Sequence, residues 1–370
     1  MYLTSDLISW NGLSPQPSTS DDASDYAYLH TGKTILVTRA GASIGFALAK
    51  TIHRFPARCL LLIDSSEQAL CRIPSDLSGA GSHRQLPLLG SIADEPCLRH
   101  TFQRYHPEII DHAAAFKHVS LTEMNPFAVV QNNVFATSAL AMLAQRFDVA
   151  RLTLISTDKA LNPENTMGTF KRLAELLLLS MPARAACMGS IRLGNVFGLE
   201  GSVVLLFLEQ IARGGPVTVT DPDLERYVLS REETVQRALA GAAVSCMGDG
   251  AIAIPATGAP IRIVDLARYL IEQAFAKDLE ITYTGLRPGD KLQEQFVFER
   301  EAVLGSRVDG VRWIDTPGVP EAERAAGLAE LNTALGDTNL SQQLAVLTRL
   351  VAEYQASSFL LQQAGVPAAQ

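Results

Sequence analysis

The sequence is short of cationic side chains, of paired cysteines and of long apolar runs, and each shortage removes a class of function. Its 31 lysines and arginines are outnumbered by 39 aspartates and glutamates, for a net charge of -8. Nucleic-acid-binding proteins carry a basic face that neutralises phosphates, so no nucleic-acid partner is expected. Any phosphate-bearing ligand must be held locally, by helix ends and a few Arg or Lys side chains. The five cysteines, Cys59, Cys71, Cys97, Cys187 and Cys246, are scattered with no C-x-x-C pair. That spacing suits reduced thiols in a cytoplasm and argues against a disulfide frame or a metal site. The longest apolar stretches, near 176–179 and 203–208, are far shorter than the roughly 20 residues that cross a bilayer. The first thirty residues lack the basic start and apolar middle of a signal peptide. A cytoplasmic chain without membrane insertion is expected, opening with a loosely ordered arm over 1–31.

What is present is a chain of 370 residues, 47% hydrophobic and 19% charged, enough for one large domain with a lobe, or for two domains. From Lys33 the sequence alternates between strand and helix patterns. Thr34-Ile35-Leu36-Val37-Thr38 is a β-branched apolar run, followed by Gly41, Gly45 and a helical stretch to about residue 54. A second run, Cys59-Leu60-Leu61-Leu62-Ile63, is closed by Asp64, nearly 20 residues after the last glycine. An acid there can accept hydrogen bonds from both ribose hydroxyls and would repel a 2′-phosphate, which favours NAD over NADP. The turn itself reads Arg39-Ala40-Gly41-Ala42-Ser43-Ile44-Gly45, with glycine only at 41 and 45. Taken alone it suits a plain strand-to-helix turn as well as a dinucleotide loop.

Strands are predicted over 85–89 and 108–110, separated by a helix over 95–105. The second leads into His112-Ala113-Ala114-Ala115-Phe116-Lys117-His118. Small alanines there let a flat cofactor lie against backbone, and Lys117 can reach a phosphate or a sugar. The two histidines lack a third ligand at metal spacing and read as hydrogen-bonding or packing groups. A long helix over 125–147 carries Asn132 and Asn133 in an otherwise apolar pattern, where a buried amide implies a specific partner. Next comes the apolar run 152–155 ending in Ser156-Thr157-Asp158-Lys159, and a helix over 166–179 carrying Lys171. A hydroxyl, a carboxylate and two amines arriving together at a strand end mark either chemistry or an ordinary polar turn. Beyond Arg192, short strands and turns interleave with helices over 202–213, 231–245 and 263–275. They read as a smaller lobe, with Arg192, Arg226 and Arg287 as candidate anion holders. After Pro320 a helical tail presents Leu344, Leu347, Leu350 and Val351 on one face.

Several of these segments together resemble a known family. Ala114-Ala115-Phe116-Lys117-His118-Val119, Ser156-Thr157-Asp158-Lys159-Ala160 with Asn162-Pro163, Met167-Gly168-Thr169-Phe170-Lys171-Arg172, Arg192-Leu193-Gly194-Asn195-Val196 and Gly285-Leu286-Arg287-Pro288-Gly289-Asp290-Lys291 occur in order across residues 32–354. The chain resembles the bacterial polysaccharide-biosynthesis dehydratases of the extended short-chain dehydrogenase/reductase superfamily, which act on UDP-N-acetylglucosamine. The resemblance implies an α/β fold: a Rossmann-type doubly wound parallel sheet with a smaller α/β substrate-binding lobe. The expected divisions are an NAD-binding domain over 32–192, a mainly nucleotide-sugar-binding lobe over 193–320 and a helical tail over 321–370.

It also implies an NAD-dependent 4,6-dehydration, with Asp158 as the acid at sugar carbon 6 and Lys159 as the base at carbon 5. Thr157 would bond near the sugar hydroxyl, and Lys171 would hold the nicotinamide ribose. Met167 stands where the superfamily usually has tyrosine, as it does in the larger, membrane-anchored dehydratases; this chain is expected to be a soluble form lacking the membrane region. Cofactor contacts carried over are Arg39, Gly41, Ser43, Ile44, Gly45, Asp64, Ser91, Ile92, Ala113, Ala114 and Lys171. For the UDP-sugar they are Lys117, His118, Asn195, Val217, Arg226 and Arg287. Arg39 and Ala42 replace loop glycines and Ser91 replaces an aspartate; each loop change costs about 1–3 kcal/mol if the backbone is kept, partly offset if Arg39 lends its charge to the pyrophosphate. A nucleotide-sugar epimerase and a catalytically weak binding protein are the competing expectations. A homo-oligomer built through helices 125–147 and Thr166–Leu179 is implied as well.

Overall fold

The computed structural model describes residues 22–77, 84–182, 186–198, 201–245, 252–276, 278–287, 289–299, 301–305 and 308–366. Its strands are β1 (Thr34–Thr38), β2 (Cys59–Asp64), β3 (Arg84–Leu89), β4 (Ile109–His112), β5 (Arg151–Thr157), β6 (Cys187–Leu193), β7 (Asn195–Val196), β8 (Val217–Val219), β9 (Glu225–Arg226), β10 (Val228–Leu229), β11 (Ile252–Pro255), β12 (Ile261–Arg262), β13 (Ile281–Tyr283), β14 (Ala302–Leu304) and β15 (Val311–Asp315). The α-helices are α1 (Ser43–Ile52), α2 (Glu67–Asp76), α3 (Glu95–Tyr105), α4 (Val119–Met124), α5 (Pro126–Val129), α6 (Ala136–Arg146), α7 (Thr166–Leu179), α8 (Val203–Ala212), α9 (Arg231–Ser245), α10 (Ile263–Gln273), α11 (Glu321–Gly336), α12 (Leu340–Leu350) and α13 (Ser358–Gln363).

Nine strands form one sheet in the order β14-β15-β11-β6-β5-β4-β1-β2-β3. All pairs from β11 to β3 are parallel, and β15 and β14 add an antiparallel edge. Every residue of β1 and β4 is buried, as unbroken apolar runs require when helices cover both faces of a parallel sheet. Leu48 and Ile52 of α1 with Leu239 and Ala243 of α9 fill one face. Phe102 of α3, Leu140 of α6 and Leu178 of α7 fill the other. The strand order reverses between β1 and β4, and a doubly wound sheet opens a crevice at the carboxyl ends of such a pair.

The smaller lobe has its own core around Phe207, Val217, Val219, Leu266 and Leu270. It is not one continuous segment, however. Strands β11, β14 and β15 return to the main sheet from within 193–320, and α9 packs on β6 and β11. The expected arm also needs correction. Residues 1–21 lie outside the described residues, but 22–30 form a capped 3-10 turn with Tyr26 buried. His30, fully enclosed, lies 3.5 Å from Asp111 and 3.1 Å from Arg151 Nη2.

The helical tail is where the sequence put it, and Leu344, Leu347, Leu350 and Val351 are all buried. They pack on Phe170, Leu173 and Leu177 of α7, so α7 is enclosed by the chain's own C-terminal helices. Residues Pro126–Arg146 form one 21-residue helical stretch that is apolar and long enough to cross a bilayer, contrary to the run-length reading. It owes its composition to packing, since 61% of its most apolar stretch is buried in the fold. Its middle turn, Val130–Phe135, is a π-helix.

Candidate active site

The crevice at the strand reversal divides into two cavities, of about 400 Å³ and about 100 Å³. The smaller is bounded by Asp64, Ser91, Ile92, Ala114 and Asn132. The larger is bounded by Ser43, Ile44 and Gly45 at the start of α1, by Ala113, Lys117 and His118 after β4, and by Thr157, Lys159, Met167, Lys171 and Asn195. Arg39 borders both.

The turn after β1 is tightly built. Gly41 N donates to Asp64 Oδ2 at 2.9 Å, and Ser66 N donates to Oδ1 at 2.9 Å. Each carboxylate oxygen accepts two bonds, so Asp64 keeps capacity for a pair of hydroxyls. A Cβ at Gly45 would overlap the carbonyl oxygen of Arg39, and one at Gly41 would overlap Ala69. The two glycines that remain in this loop are the ones packing demands. Arg39 holds a left-handed φ of 52°, a conformation natural to the glycine it replaces.

Behind the 113–117 loop, Asn133 Oδ1 accepts from Phe116 N at 2.9 Å and Nδ2 donates to Phe116 O at 3.1 Å. The π-turn thus places the amide that fixes this loop, which is the specific partner expected of a buried asparagine. His112 lies 2.9 Å from Thr38 Oγ1 and 2.9 Å from Thr137 Oγ1. Burial, with the Lys171 cation nearby, pulls it down to about 3, so it is a neutral tether between strands and α6.

The reactive cluster forms where β5 ends. Thr157 Oγ1 donates to Asp158 Oδ1 at 2.9 Å, and Lys159 Nζ donates to the same oxygen at 3.0 Å and to Asn195 Oδ1 at 2.9 Å. Asp158 is fully enclosed and reaches the cavity only through these two neighbours; its Oδ2 has no hydrogen-bond partner among the described residues. Glu294 Oε1, which sequence reasoning missed, lies 3.9 Å from Lys159 Nζ. The other oxygen of Glu294, Oε2, accepts from Lys291 Nζ at 3.1 Å, and that amine also donates to Leu161 O at 2.6 Å. Lys291 ends a recognised motif, so a contact three residues later was the available signal.

Helix α7 sets the other half. Asn165 caps it through Gly168 N at 2.8 Å and donates to Gly289 O of the lobe at 2.9 Å. A Cβ at Gly168 would overlap the carbonyl oxygen of Lys159, and this close approach seats Met167 and Lys171 beside β5. Lys171 Nζ donates to Ile155 O at 2.7 Å. Burial, reinforced by Arg39 and opposed by Glu175, lowers it to about 8.

Four expected anion or substrate contacts lie elsewhere. Val217 is a core residue of the lobe with no exposure. Arg226 is buried, donating to the carbonyls of Glu225, Lys291 and Leu292. Arg287 is exposed, away from both cavities. Arg192 lies under the sheet, paired with Glu175 at 3.0 Å and Glu301 at 2.8 Å. Glu175 in turn accepts from Ser156 Oγ at 2.6 Å. An arginine at the end of a strand looks alike in sequence whether it faces solvent or fills a buried ion network.

The chain matches the family described as "Polysaccharide biosynthesis protein" over residues 35–314, and it belongs to that family. It is 36% identical over 277 residues to the capsular polysaccharide biosynthesis protein CapD of Staphylococcus aureus, an alignment covering 73% of this chain and 46% of the relative. The chain thus spans about half the length of that curated relative. Among solved structures, Pen from Bacillus thuringiensis superposes with a TM-score of 0.71 at 24% identity, over 79% of this chain and 89% of Pen. The UDP-glucose-4-epimerase of Stenotrophomonas maltophila, solved with bound NAD and formylated UDP-arabinopyranose, gives 0.60 at 16% identity, over 70% and 88%. At these identities the superpositions show a shared Rossmann-like fold.

Proposed function

We propose that this family member is an NAD-dependent nucleotide-sugar 4,6-dehydratase acting on UDP-N-acetylglucosamine. The observation that carries the reading is the hydrogen-bonded path Thr157-Asp158-Lys159, facing the same cavity as Lys171 and Met167. The residues fit the cofactor: Asp64 retains acceptor capacity for a ribose, Ala113 and Ala114 leave a flat surface, and Lys171 stands at the far end. When bound, NAD would take hydride from the alcohol at sugar carbon 4 and return it at carbon 6, and the proton released by the carbon 4 hydroxyl balances the one put back on carbon 5.

The chain's own residues handle the protons. A ketone at carbon 4 acidifies the proton on carbon 5, so one positioned base suffices. Lys159, held between Asp158 and Asn195, takes that proton. Lysine, carboxylate and hydroxyl are linked by bonds of 3.0 and 2.9 Å. Lys159 can pass the carbon 5 proton to Asp158 Oδ1; the Thr157 hydroxyl then turns to accept from the protonated carboxyl and gives its own proton to the carbon 6 hydroxyl, which leaves as water, with no net change in the cluster. Because Asp158 is enclosed, Thr157 is the group that meets the leaving hydroxyl, which alters the direct contact expected from resemblance. Lys117, Lys171 and Arg39 make the larger cavity locally cationic in an acidic protein, as a diphosphate ligand requires. The free thiols of Cys59, Cys71, Cys97 and Cys187 fit a reducing compartment, and the reading places the reaction in the cytoplasm.

Incubation with UDP-N-acetylglucosamine and NAD should yield a product lighter by one water in mass spectrometry. A product of unchanged mass with an altered proton spectrum would instead identify an epimerase, a reading favoured by the enclosure of Asp158. No change with any UDP-hexose, in a protein that binds NAD, would leave only a binding role.

A further inference from the structure

Arg39 directly follows β1, and Ala115 lies three residues beyond β4, so the two flank the strand reversal. The Arg39 guanidinium spans that gap and donates from Nη1 to the Ala115 carbonyl. It stands at the boundary of the two cavities. A dinucleotide with its adenosine beside Asp64 and Ser91 and its nicotinamide beside Met167 and Lys171 must lay its diphosphate across this boundary.

The backbone of Arg39 cannot swing away. Its carbonyl accepts from Ala42 N at 3.0 Å and is covered by Gly45, where a Cβ would overlap it. Only the side chain can move. We propose that Arg39 is a resident diphosphate ligand, parked on the Ala115 carbonyl in the free protein and transferred to the dinucleotide's diphosphate on binding. The exchange replaces a neutral acceptor by charged oxygens that match the guanidinium fork, so it favours the bound state. The cation standing in the glycine position thereby supplies affinity that the altered loop loses. This rests on the dinucleotide reading, yet it concerns binding rather than turnover.

The test is calorimetric titration of the full chain with NAD at about 50 and about 300 mM salt, for the unaltered protein, Arg39→Gly and Arg39→Lys. Glycine suits a φ of 52°, so Arg39→Gly should fold, and an unchanged or higher melting temperature checks this. It should bind NAD about tenfold more weakly at low salt and lose most of the salt dependence, the fold-change expected when one charge-assisted contact is removed. Arg39→Lys should keep the salt dependence with intermediate affinity. If Arg39→Gly binds as tightly as the unaltered chain, or more tightly, Arg39 merely obstructs the groove and the inference is overturned. If the unaltered chain binds no NAD, the dinucleotide reading falls and takes this inference with it. NAD binding that depends on Arg39 without any conversion of UDP-sugars would refute the dehydratase alone.

Discussion

Lys171 should destabilise the fold it serves. Its amine is held at about 8 by burial, with Arg39 adding to the effect, against an ordinary 10.5. At about 1.4 kcal/mol for each pH unit, keeping it charged inside the protein costs roughly 3 kcal/mol at neutral pH. The sign follows from proton counts. Between pH 8 and 10.5 the unfolded chain holds a proton on this lysine that the folded chain has shed, so stability rises with pH across that window. Lys171→Met keeps the apolar stem and removes the charge, while giving up a hydrogen bond to Ile155 O that contributes about 1 kcal/mol. The net gain at pH 7 should be roughly 2 kcal/mol. Urea unfolding of both proteins at pH 7 and pH 10 isolates the effect, because other groups titrate alike in each. The variant should be the more stable at pH 7, the difference should close by pH 10, and conversion of the sugar nucleotide should be abolished. Equal stabilities at pH 7, with parallel pH dependence, would refute the argument that burial of this charge is the source of the shift.

Gly168→Ala drives a Cβ into the Lys159 carbonyl and should cost about 2–4 kcal/mol in denaturant unfolding, with loss of activity from displacement of Met167 and Lys171. Glu175→Gln leaves the enclosed Arg192 without one of its two carboxylate partners and should cost about 3–5 kcal/mol. Although burial opposes ionisation of Glu175, Arg192 and Arg172 outweigh it and hold it below the usual carboxylate range. Its stabilising contribution is thus present above the unfolded value and lost as pH falls, so Glu175→Gln should flatten the acid limb of a melting-temperature profile. Asp158→Asn interrupts the proton path and should slow water loss by about 10²- to 10⁴-fold. Its NAD affinity, measured by titration, should be unchanged, since Asp158 is enclosed away from both cavities.

The parts of this structure legible in the sequence are those fixed by local pattern. Strands β1, β2 and β5 read as apolar runs because both faces are covered, and α7 occupies the range expected for a helix over 166–179. The pairing of Thr157, Lys159, Met167 and Lys171 was visible because one strand end and the next helix bring them together. What stayed hidden depends on distant segments. Nothing local distinguishes Arg192, with no exposed surface, from an arginine that meets a ligand; its partners Glu175 and Glu301 lie 17 and 109 residues away. The return of β11, β14 and β15 to the main sheet was likewise invisible, since short strands in a lobe and short strands at a sheet edge have the same composition.

The start of α7 shows why a helical tail with no chemistry of its own belongs to the site. Glu123 of α4 accepts at Oε1 from Thr166 N at 2.6 Å and at Oε2 from Ser357 Oγ at 2.5 Å. Gln355 N donates to Pro163 O at 3.0 Å, and Arg172 Nη2 donates to Glu353 at 3.3 Å. The segment between Lys159 and Met167 is therefore held from α4, from the lobe through Gly289, and from the C-terminal segment at once. Two amines and a carboxylate near one another repel or collapse unless their backbones are fixed independently of their charges, and preorganisation of that kind is what lets a buried polar cluster act on a substrate. The tail supplies that fixing by covering Phe170, Leu173 and Leu177. The apolar face of α7 is thereby spent on holding Met167 and Lys171 in place.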